Sequence, residues 1–311
     1  MNESKFNFGT VLAIIVLLGY SYFVFMGLDY WLNGNVALAA TLTGAMIVVV
    51  MVCILIMCRA KASRWKKLGA TGQILFGIIV LAVLGASSIP FAHFIGIMGK
   101  QSEIKTEFNK AKEFAEKVDQ AYDNYVDSIV DAYELELKRA VAGHSTGSAS
   151  TKYSQMNLDK MEGDDSTKVV SMVNAYRHSI EADESIKAQR ENYRRSVNET
   201  ADMSVWNIAM PENIGRMSES VKNMVDSYIK ISKDNMPNPG FEGYKEFSYP
   251  QYEGQVKELG DNLTKLSKPD ALSLIIAIVA ALLCFACMMF PYFLTRTSLA
   301  ARESNTGTMA I

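Results

Sequence analysis

Residues 74–98 read ILFGIIVLAVLGASSIPFAHFIGIM, and residues 101–132 read QSEIKTEFNKAKEFAEKVDQAYDNYVDSIVDA. The first stretch carries no Asp, Glu, Lys or Arg, and it is long enough to cross a hydrocarbon core of about 30 Å as a helix. The second stretch carries charges throughout, and charged side chains are costly inside lipid. The junction therefore predicts a membrane-spanning helix that is followed at once by a water-facing segment.

Three further stretches share the apolar composition, at residues 8–28, 36–58 and 271–294. Each holds about 20 apolar residues or more, which is the length of a transmembrane helix. The alternation typical of strands is absent. The sequence predicts an all-α membrane protein with four transmembrane helices and one extracytoplasmic domain, residues 101–270, between the third and fourth spans.

The loop at residues 59–72, between the second and third spans, predicts the orientation. It carries five basic residues and no acidic one, and short loops rich in Lys and Arg stay in the cytoplasm. The N-terminus and the tail at residues 295–311 are therefore predicted inside, and residues 101–270 outside. The predicted membrane-surface anchor comprises Arg59, Lys61, Arg64, Trp65, Lys66 and Lys67. A specific contact with anionic lipid headgroups is the alternative interpretation.

Charge is divided between the two predicted sides of the membrane. Residues 101–270 contain 22 Lys or Arg and 30 Asp or Glu, a net charge of −8, and the remainder of the chain carries +6. An acidic outer domain argues against nucleic acid as a partner, because that binding needs a concentrated basic face. All four cysteines lie in predicted spans, so no disulfides are expected outside, and we favour a bacterial plasma membrane (inner membrane).

The outer domain has helical periodicity. Its first segment places apolar residues four and three positions apart, which is the spacing of a coiled coil. These positions are Ile104, Phe108, Ala111, Ala115, Val118, Tyr122, Tyr125, Ile129 and Ala132. Further helices are predicted at residues 167–197, 211–231 and 251–266, and a long mobile loop rich in Gly, Ser, Thr and Asp at residues 143–166. Helices that start and end at spans predict an antiparallel bundle.

The polar residues do not form a known catalytic or metal-binding motif. The three histidines, His93, His144 and His178, lie in three different predicted elements. No Walker A sequence, dinucleotide-binding glycine motif, nucleophile elbow or zinc-ligand spacing is present. We therefore predict no catalytic residue, no metal site and no cofactor, and a protein that is not an enzyme.

One segment of the third span is a candidate hinge or relay. Ser87, Ser88 and Pro90 lie where a helix can bend, because proline removes a backbone hydrogen bond and crowds the preceding turn. His93 follows three residues later, and an ionisable side chain at membrane depth is a functional hypothesis by default. The alternative is that His93 packs or reaches water near the interface.

An aromatic run late in the outer domain is a candidate partner surface. Its members are Phe241, Tyr244, Phe247, Tyr249 and Tyr252. Tyr and Phe are enriched in protein–protein interfaces. The alternative is that these rings fill the base of the helical bundle.

The four-span topology resembles that of tetraspanins, although residues 101–270 lack the Cys-Cys-Gly motif and disulfides of that family. The helical domain between two spans is also similar to the sensing domain of bacterial chemoreceptors, although the tail at residues 295–311 is far shorter than their cytoplasmic output region. Both resemblances are therefore limited to the order of spans and helices.

Three functional hypotheses follow from this organisation. The favoured one is a non-enzymatic membrane subunit or scaffold, whose outer bundle binds another membrane or envelope protein in a cell-envelope complex, or another copy of itself. The alternative is a sensor that relays the state of the outer domain through the third and fourth spans to a separate cytoplasmic partner. The third is an oligomeric channel lined by weakly polar spans. Membrane lipids are expected partners in every case.

Overall fold

The computed structural model describes residues 8–62, 70–147, 150–182 and 184–295, and no strand occurs among them. Their ten α-helices are α1 (Phe8–Trp31), α2 (Val36–Ala62), α3 (Ala70–Gly99), α4 (Gln101–Ser145), α5 (Ser150–Gln155), α6 (Asp165–Arg177), α7 (Glu184–Asp202), α8 (Met210–Asp234), α9 (Tyr252–Leu266) and α10 (Ala271–Leu294). The chain divides into two compact units. The membrane unit takes Met1–Ile104, Ser204–Asn213 and Thr264–Ile311, and the polar unit takes Lys105–Met203 and Ile214–Leu263.

The four predicted spans are confirmed as helices that are long and apolar enough to cross a membrane. Their outward faces are apolar as well, and Ile15, Leu283 and Phe293 are 62%, 63% and 66% exposed. Apolar surfaces of this extent are unusual for a protein surrounded by water. The membrane unit is therefore built as a multi-pass membrane protein.

One close helix approach in the membrane unit lies between α1 and α3. A Cβ atom at Gly27 would lie 1.7 Å from the carbonyl oxygen of Pro90, so only glycine fits there. Small residues allow such contact between membrane helices. Beside it, the rings of Tyr20 and Phe91 stack with their centroids 5.1 Å apart, and the Tyr20 hydroxyl lies 2.9 Å from Ser87 Oγ.

Residues 204–213 pack with the spans, although the sequence places them in the outer domain. The Tyr30 hydroxyl donates a hydrogen bond to the carbonyl oxygen of Val205 at 2.7 Å. The next residue, Trp206, meets Phe94 edge to face with ring centroids 4.9 Å apart. The short segment between α7 and α8 is therefore attached to both α1 and α3.

The long helix α4 begins one residue after α3 and carries a continuous buried stripe. The predicted register holds through Tyr122 and again at Ile129, but it fails at two other positions. Val126 is buried where the heptad spacing selects Tyr125, and Tyr133 is buried in place of Ala132. The stripe comprises Ile104, Phe108, Ala111, Ala115, Val118, Tyr122, Val126, Ile129, Tyr133, Leu137 and Ala140. The stripe advances 36 positions from Ile104 to Ala140 in ten steps, which is the 3.6-residue repeat of a straight helix and not the 3.5-residue repeat of a coiled coil.

The segment predicted as a mobile loop, residues 143–166, is partly helical in its described part, and its mobility stays a prediction. It contains α5 and a 3-10 turn at Leu158–Lys160. Three of its apolar side chains are buried: Tyr153, Met156 and Leu158. The segment is also tied to α4, because Lys152 Nζ lies 2.6 Å from Glu136 Oε1. Burial and this ion pair offset the entropy of ordering a segment rich in small polar residues.

The helix predicted at residues 167–197 is divided in the structure. α6 ends at Arg177, a π-helical turn occupies His178–Ala182, and α7 begins at Glu184. The carbonyl oxygen of Ile180 within that turn accepts a hydrogen bond from the Tyr122 hydroxyl at 2.9 Å. The surrounding sequence is strongly charged, so it has too few apolar residues for periodicity to reveal a change of helical register.

Helices α8 and α9 contribute apolar faces to the interior of the polar unit, as their periodicity predicts. In α8, Pro211 lies in the first turn, where its missing N–H group costs no helical hydrogen bond. Its buried face includes Val221, Met224 and Tyr228. The buried residues of α9 are Val256, Leu259 and Leu263. Tyr228, on the buried face of α8, contacts charged residues of α4 and α7.

Candidate functional site

A buried ionic network joins α4, α7 and α8 within the polar unit. Asp119 lies at its centre and is 4% exposed. Its Oδ1 accepts hydrogen bonds from Arg190 Nη2 at 2.8 Å and from the Tyr228 hydroxyl at 2.5 Å, and its Oδ2 contacts Arg194. Buried charges are tolerated when they are paired and hydrogen-bonded. Asp119 meets this condition through three partners on two other helices.

Arg190 connects this carboxylate to a pair of tyrosine rings. Its guanidinium carbon lies 5.6 Å from the ring centroids of both Tyr122 and Tyr228, which stack 4.3 Å apart. Such placement favours the cation electrostatically. Burial opposes the charge, but the hydrogen bond to Asp123 at 2.6 Å helps to outweigh burial, and the pKa of Arg190 is raised above its ordinary value.

The two stacked tyrosines keep their protons and act as hydrogen-bond donors. Burial raises the pKa of Tyr122 and of Tyr228 above the usual tyrosine value. Tyr228 therefore donates to Asp119, and Tyr122 donates to Ile180 in the π-helical turn. The network thus fixes the turn between α6 and α7 as well as the faces of α4, α7 and α8.

A groove of about 300 Å³ opens beside the network, between α4 and α7. Asp119, Asp123 and Arg194 of the network form part of its wall. The other lining residues are Lys112, Ala115, Glu116, Gln120, Val197 and Asn198. We call this feature the α4–α7 groove. Its volume is at the lower limit for small-ligand pockets, which hold about 300–1,000 Å³, and its wall is charged.

Several polar side chains of the α4–α7 groove are free to bind something else. Within the described part of the chain, Lys112, Glu116, Gln120 and Asn198 make no side-chain hydrogen bond or ion pair. Lys112 and Glu116 are four residues apart on one helix, a spacing at which opposite charges can pair. Because they do not pair here, the groove presents available groups of both signs around a fixed ionic network.

The predicted hinge residues lie inside a continuous helix. Ser87 Oγ donates to the carbonyl oxygen of Leu84 at 2.8 Å, and Ser88 Oγ donates to that of Gly85 at 2.6 Å. Pro90 lies within α3, which continues to Gly99. A role of this segment as a hinge stays a prediction.

His93 lies on the side of α3 that meets α1. Its ring stacks with that of Trp31 at a centroid distance of 6.2 Å. Its Nδ1 is buried and has no hydrogen-bond partner in the described structure. The adjacent residue, Phe94, contacts Trp206, so His93 lies beside the attachment of residues 204–213. The structure thus brings the predicted relay residue to that attachment.

The aromatic run, predicted as a partner surface, packs largely inward within the polar unit, and a role of its half-buried rings in partner binding stays a prediction. Phe241 and Phe247 are 2% and 4% exposed. Phe247 packs on Tyr122, and Phe241 packs on Tyr133, at centroid distances of 5.2 and 5.1 Å. The other three rings are half-buried, and each contacts the polar unit: Tyr244 through Ser232, Tyr249 through Phe114 and Tyr252 through Asp226.

Of the predicted membrane-surface anchor, the structure describes two residues, Arg59 and Lys61, at the end of α2. Arg64, Trp65, Lys66 and Lys67 lie outside the described residues. Lys61 Nζ donates to the carbonyl oxygen of Tyr292 at 2.8 Å and lies 4.6 Å from the centroid of its ring. A cation at the C-terminus of a helix complements its dipole and its free carbonyl groups. Lys61 therefore also joins α2 to α10.

The ionic network was missed by sequence reasoning, although a signal for it exists. Asp119 and Asp123 are four residues apart on one helix, and so are Arg190 and Arg194 on another. Like charges at this spacing destabilise an isolated helix. An acidic pair on one helix and a basic pair on another therefore indicate that the two helix faces contact each other. In the structure α4 and α7 make this contact.

Asp29 was missed because the first span was predicted to end at residue 28. In the structure α1 continues to Trp31, and Asp29 is fully buried. Neither carboxylate oxygen has a hydrogen-bond partner in the described structure. The signal was present in sequence as an acid directly after an apolar run, at a position normally read as the first residue of a loop.

Among the described residues, no group of three or more His, Cys, Asp or Glu side chains could hold a metal ion. Comparisons with protein-family models, with curated proteins and with solved structures return no match for this chain.

Proposed function

We propose that this chain is a non-enzymatic, multi-pass subunit or scaffold of a cell-envelope complex, and that its polar domain binds another envelope protein through the α4–α7 groove. The supporting observation is the set of uncommitted charges in that groove. Lys112 and Glu116 line it without an ion pair, beside a network that already neutralises Asp119. A partner segment with both acidic and basic side chains could form ion pairs with Lys112 and Glu116.

The proposed arrangement places residues 101–270 outside a bacterial plasma membrane as an antiparallel bundle, with both chain termini inside. The basic loop between α2 and α3 supports this orientation, because Lys and Arg favour the cytoplasmic side. Charge complementarity at such a groove contributes specificity and association rate more than affinity. Partner binding is therefore expected to weaken with salt, since exposed charges are screened over about 10 Å at 0.1 M salt.

Site-specific photo-crosslinking in living cells tests this proposal. A photoreactive amino acid in place of Gln120, which lines the groove, should capture a distinct protein. The same probe at the exposed Ser128, on the same helix outside the groove, should not. Glu116→Lys in the Gln120 variant should abolish the adduct. Equal capture from both positions, or an adduct that survives Glu116→Lys, would contradict binding through the groove.

A second candidate function, relay of a signal to a cytoplasmic partner, is favoured by the packing of residues 204–213 on the spans. These residues connect α7 to α8, and Val205 and Trp206 contact α1 and α3 next to His93. A displacement of this connection would therefore change its contacts with both α1 and α3. Pro90→Ala and His93→Ala should then alter partner recovery or host phenotype while expression stays normal. Wild-type behaviour of both variants would favour the scaffold.

A further inference from the structure

An apolar crevice of about 300 Å³ lies among three spans of the membrane unit. It is lined from α1, α2 and α10, chiefly by Ala13, Ile14, Ile54, Leu55, Met288 and Pro291. Ala13, Ile54, Met288 and Pro291 are buried, whereas Leu55 is 57% exposed. The crevice therefore has a buried interior and an exposed edge on the outer face of spanning helices, where lipid is the solvent.

Neither a void nor water suits this crevice. Protein interiors are close-packed, and lining atoms without neighbours lose their dispersion contacts. A buried water needs about two to four polar partners. The polar side chains lining the crevice are Thr10, Cys58 and Thr295, and the Thr295 hydroxyl already donates to the carbonyl oxygen of Pro291 at 2.8 Å. A flexible aliphatic chain fills such a space without unsatisfied hydrogen bonds.

A positive charge marks one end of the crevice. Lys61 lies one turn beyond Cys58 in α2, and its ammonium donates to the carbonyl oxygens of Tyr292 and Phe293 at 2.8 and 3.3 Å, which leaves one of its donors for a ligand. Among the described residues, no carboxylate lies within ion-pair distance of Lys61. An ammonium carries three donors, and basic groups at the ends of spans attract anionic headgroups.

We propose that the crevice between α1, α2 and α10 binds one acyl chain of an anionic glycerophospholipid, whose phosphate lies beside Lys61. The apolar lining selects the chain, and the lysine selects the headgroup. The bilayer supplies this ligand continuously. The site lies wholly in the membrane unit and is independent of the α4–α7 groove.

Photo-labelling of the full-length protein in nanodiscs tests the site. The probe is a phosphatidylglycerol with a diazirine in its acyl chain, present in trace amounts in phosphatidylcholine. Labelling should concentrate on peptides that contain Ile14, Ile54 and Met288. Ala13→Phe fills the crevice and should reduce this labelling several-fold, whereas Ile15→Phe, on the exposed face of the same helix, should not. Leu55→Trp narrows the exposed edge without changing a buried position, so it should also reduce labelling if Ala13→Phe fails to fold.

The headgroup preference is measured by competition. Unlabelled phosphatidylglycerol should displace the probe better than phosphatidylcholine in the wild type, and Lys61→Gln should remove that difference. Labelling spread evenly over all four spans, or unchanged in both Ala13→Phe and Leu55→Trp, would overturn the proposal. Efficient Cys58–Cys58 crosslinking between two copies would also overturn it, because a second copy would then occupy the crevice.

Discussion

The replacement Asp119→Asn probes the ionic network most sharply. The asparagine keeps the shape of the side chain but removes the charge that Arg190 and Arg194 share. Arg190 is the costly partner, because its side chain is 14% exposed, whereas Arg194 is 52% exposed and largely hydrated. Removal of one partner from a buried ion pair costs about 3–5 kcal/mol. Asp123 remains as a carboxylate for Arg190, so we expect a loss of about 3 kcal/mol at the lower end of that range.

The effect should be visible as a lower melting temperature of the full-length protein in detergent, followed by circular dichroism. A loss of about 3 kcal/mol corresponds to a shift of roughly 6–12 °C for a domain of this size class. Hydrogen exchange should increase in α7 and in the π-helical turn. Glu113→Gln removes an exposed ion pair with Lys117 and should change little. The apolar double variant Asp119→Leu/Arg190→Met should recover part of the loss. An Asp119→Asn protein as stable as wild type would refute the network.

Three further predictions concern the core, the spans and pH. Phe108 is fully buried, so Phe108→Ala should lower stability by about 3–5 kcal/mol in denaturant titrations, whereas the exposed Lys105→Ala should have little effect; equal effects would show that the register of α4 is wrong. Gly27→Ala should cause dissociation of α1 from α3 and aggregation on mild heating, because the added Cβ would overlap the Pro90 carbonyl. Gly19→Ala should behave as wild type, because its added Cβ would meet no neighbouring atom within 4 Å. Burial alone would raise the pKa of Glu136, but the hydrogen bonds that it accepts from Lys152 and from two backbone N–H groups hold that pKa below the usual range. The ionised carboxylate therefore stabilises the fold fully above the unfolded pKa of about 4.3, and this stabilisation is lost as pH falls through the folded pKa. The protection factor of the α5 amides, which is the exchange rate corrected for its intrinsic pH dependence, should therefore fall only in that acidic range. Glu136→Gln should remove this fall; a protection factor of the wild type that stays constant through the acidic range would contradict the contact.

Sequence reasoning recovered the spans because about 20 consecutive apolar residues are a signal that needs no tertiary context. It also recovered the first half of α4, where a heptad and a straight helix select the same positions. The heptad repeat selects Tyr125 and the straight-helix repeat selects Val126, and only the observed packing of α4 shows that Val126 is the buried residue.

The site was harder to predict because it depends on contacts between distant segments. Asp119 meets Arg190 and Tyr228 across 71 and 109 residues, and no local pattern encodes that meeting. The sequence of the aromatic run does not show whether its rings face the protein core or a partner, because that depends on the helices packed around them. Residues 204–213 were assigned to the outer domain because their contacts with Tyr30 and Phe94 lie more than 100 residues away in sequence.

We propose above all that the four spans present the polar domain on the outer side of the membrane. Single-cysteine labelling in intact cells tests it directly, in a background without the four native cysteines. A membrane-impermeant maleimide should label Ser154→Cys, an exposed position in α5, without permeabilisation. It should label Ser63→Cys, in the basic loop, only after permeabilisation. Labelling of Ser63→Cys in intact cells together with protection of Ser154→Cys would contradict the orientation and, with it, the proposed binding to an envelope partner.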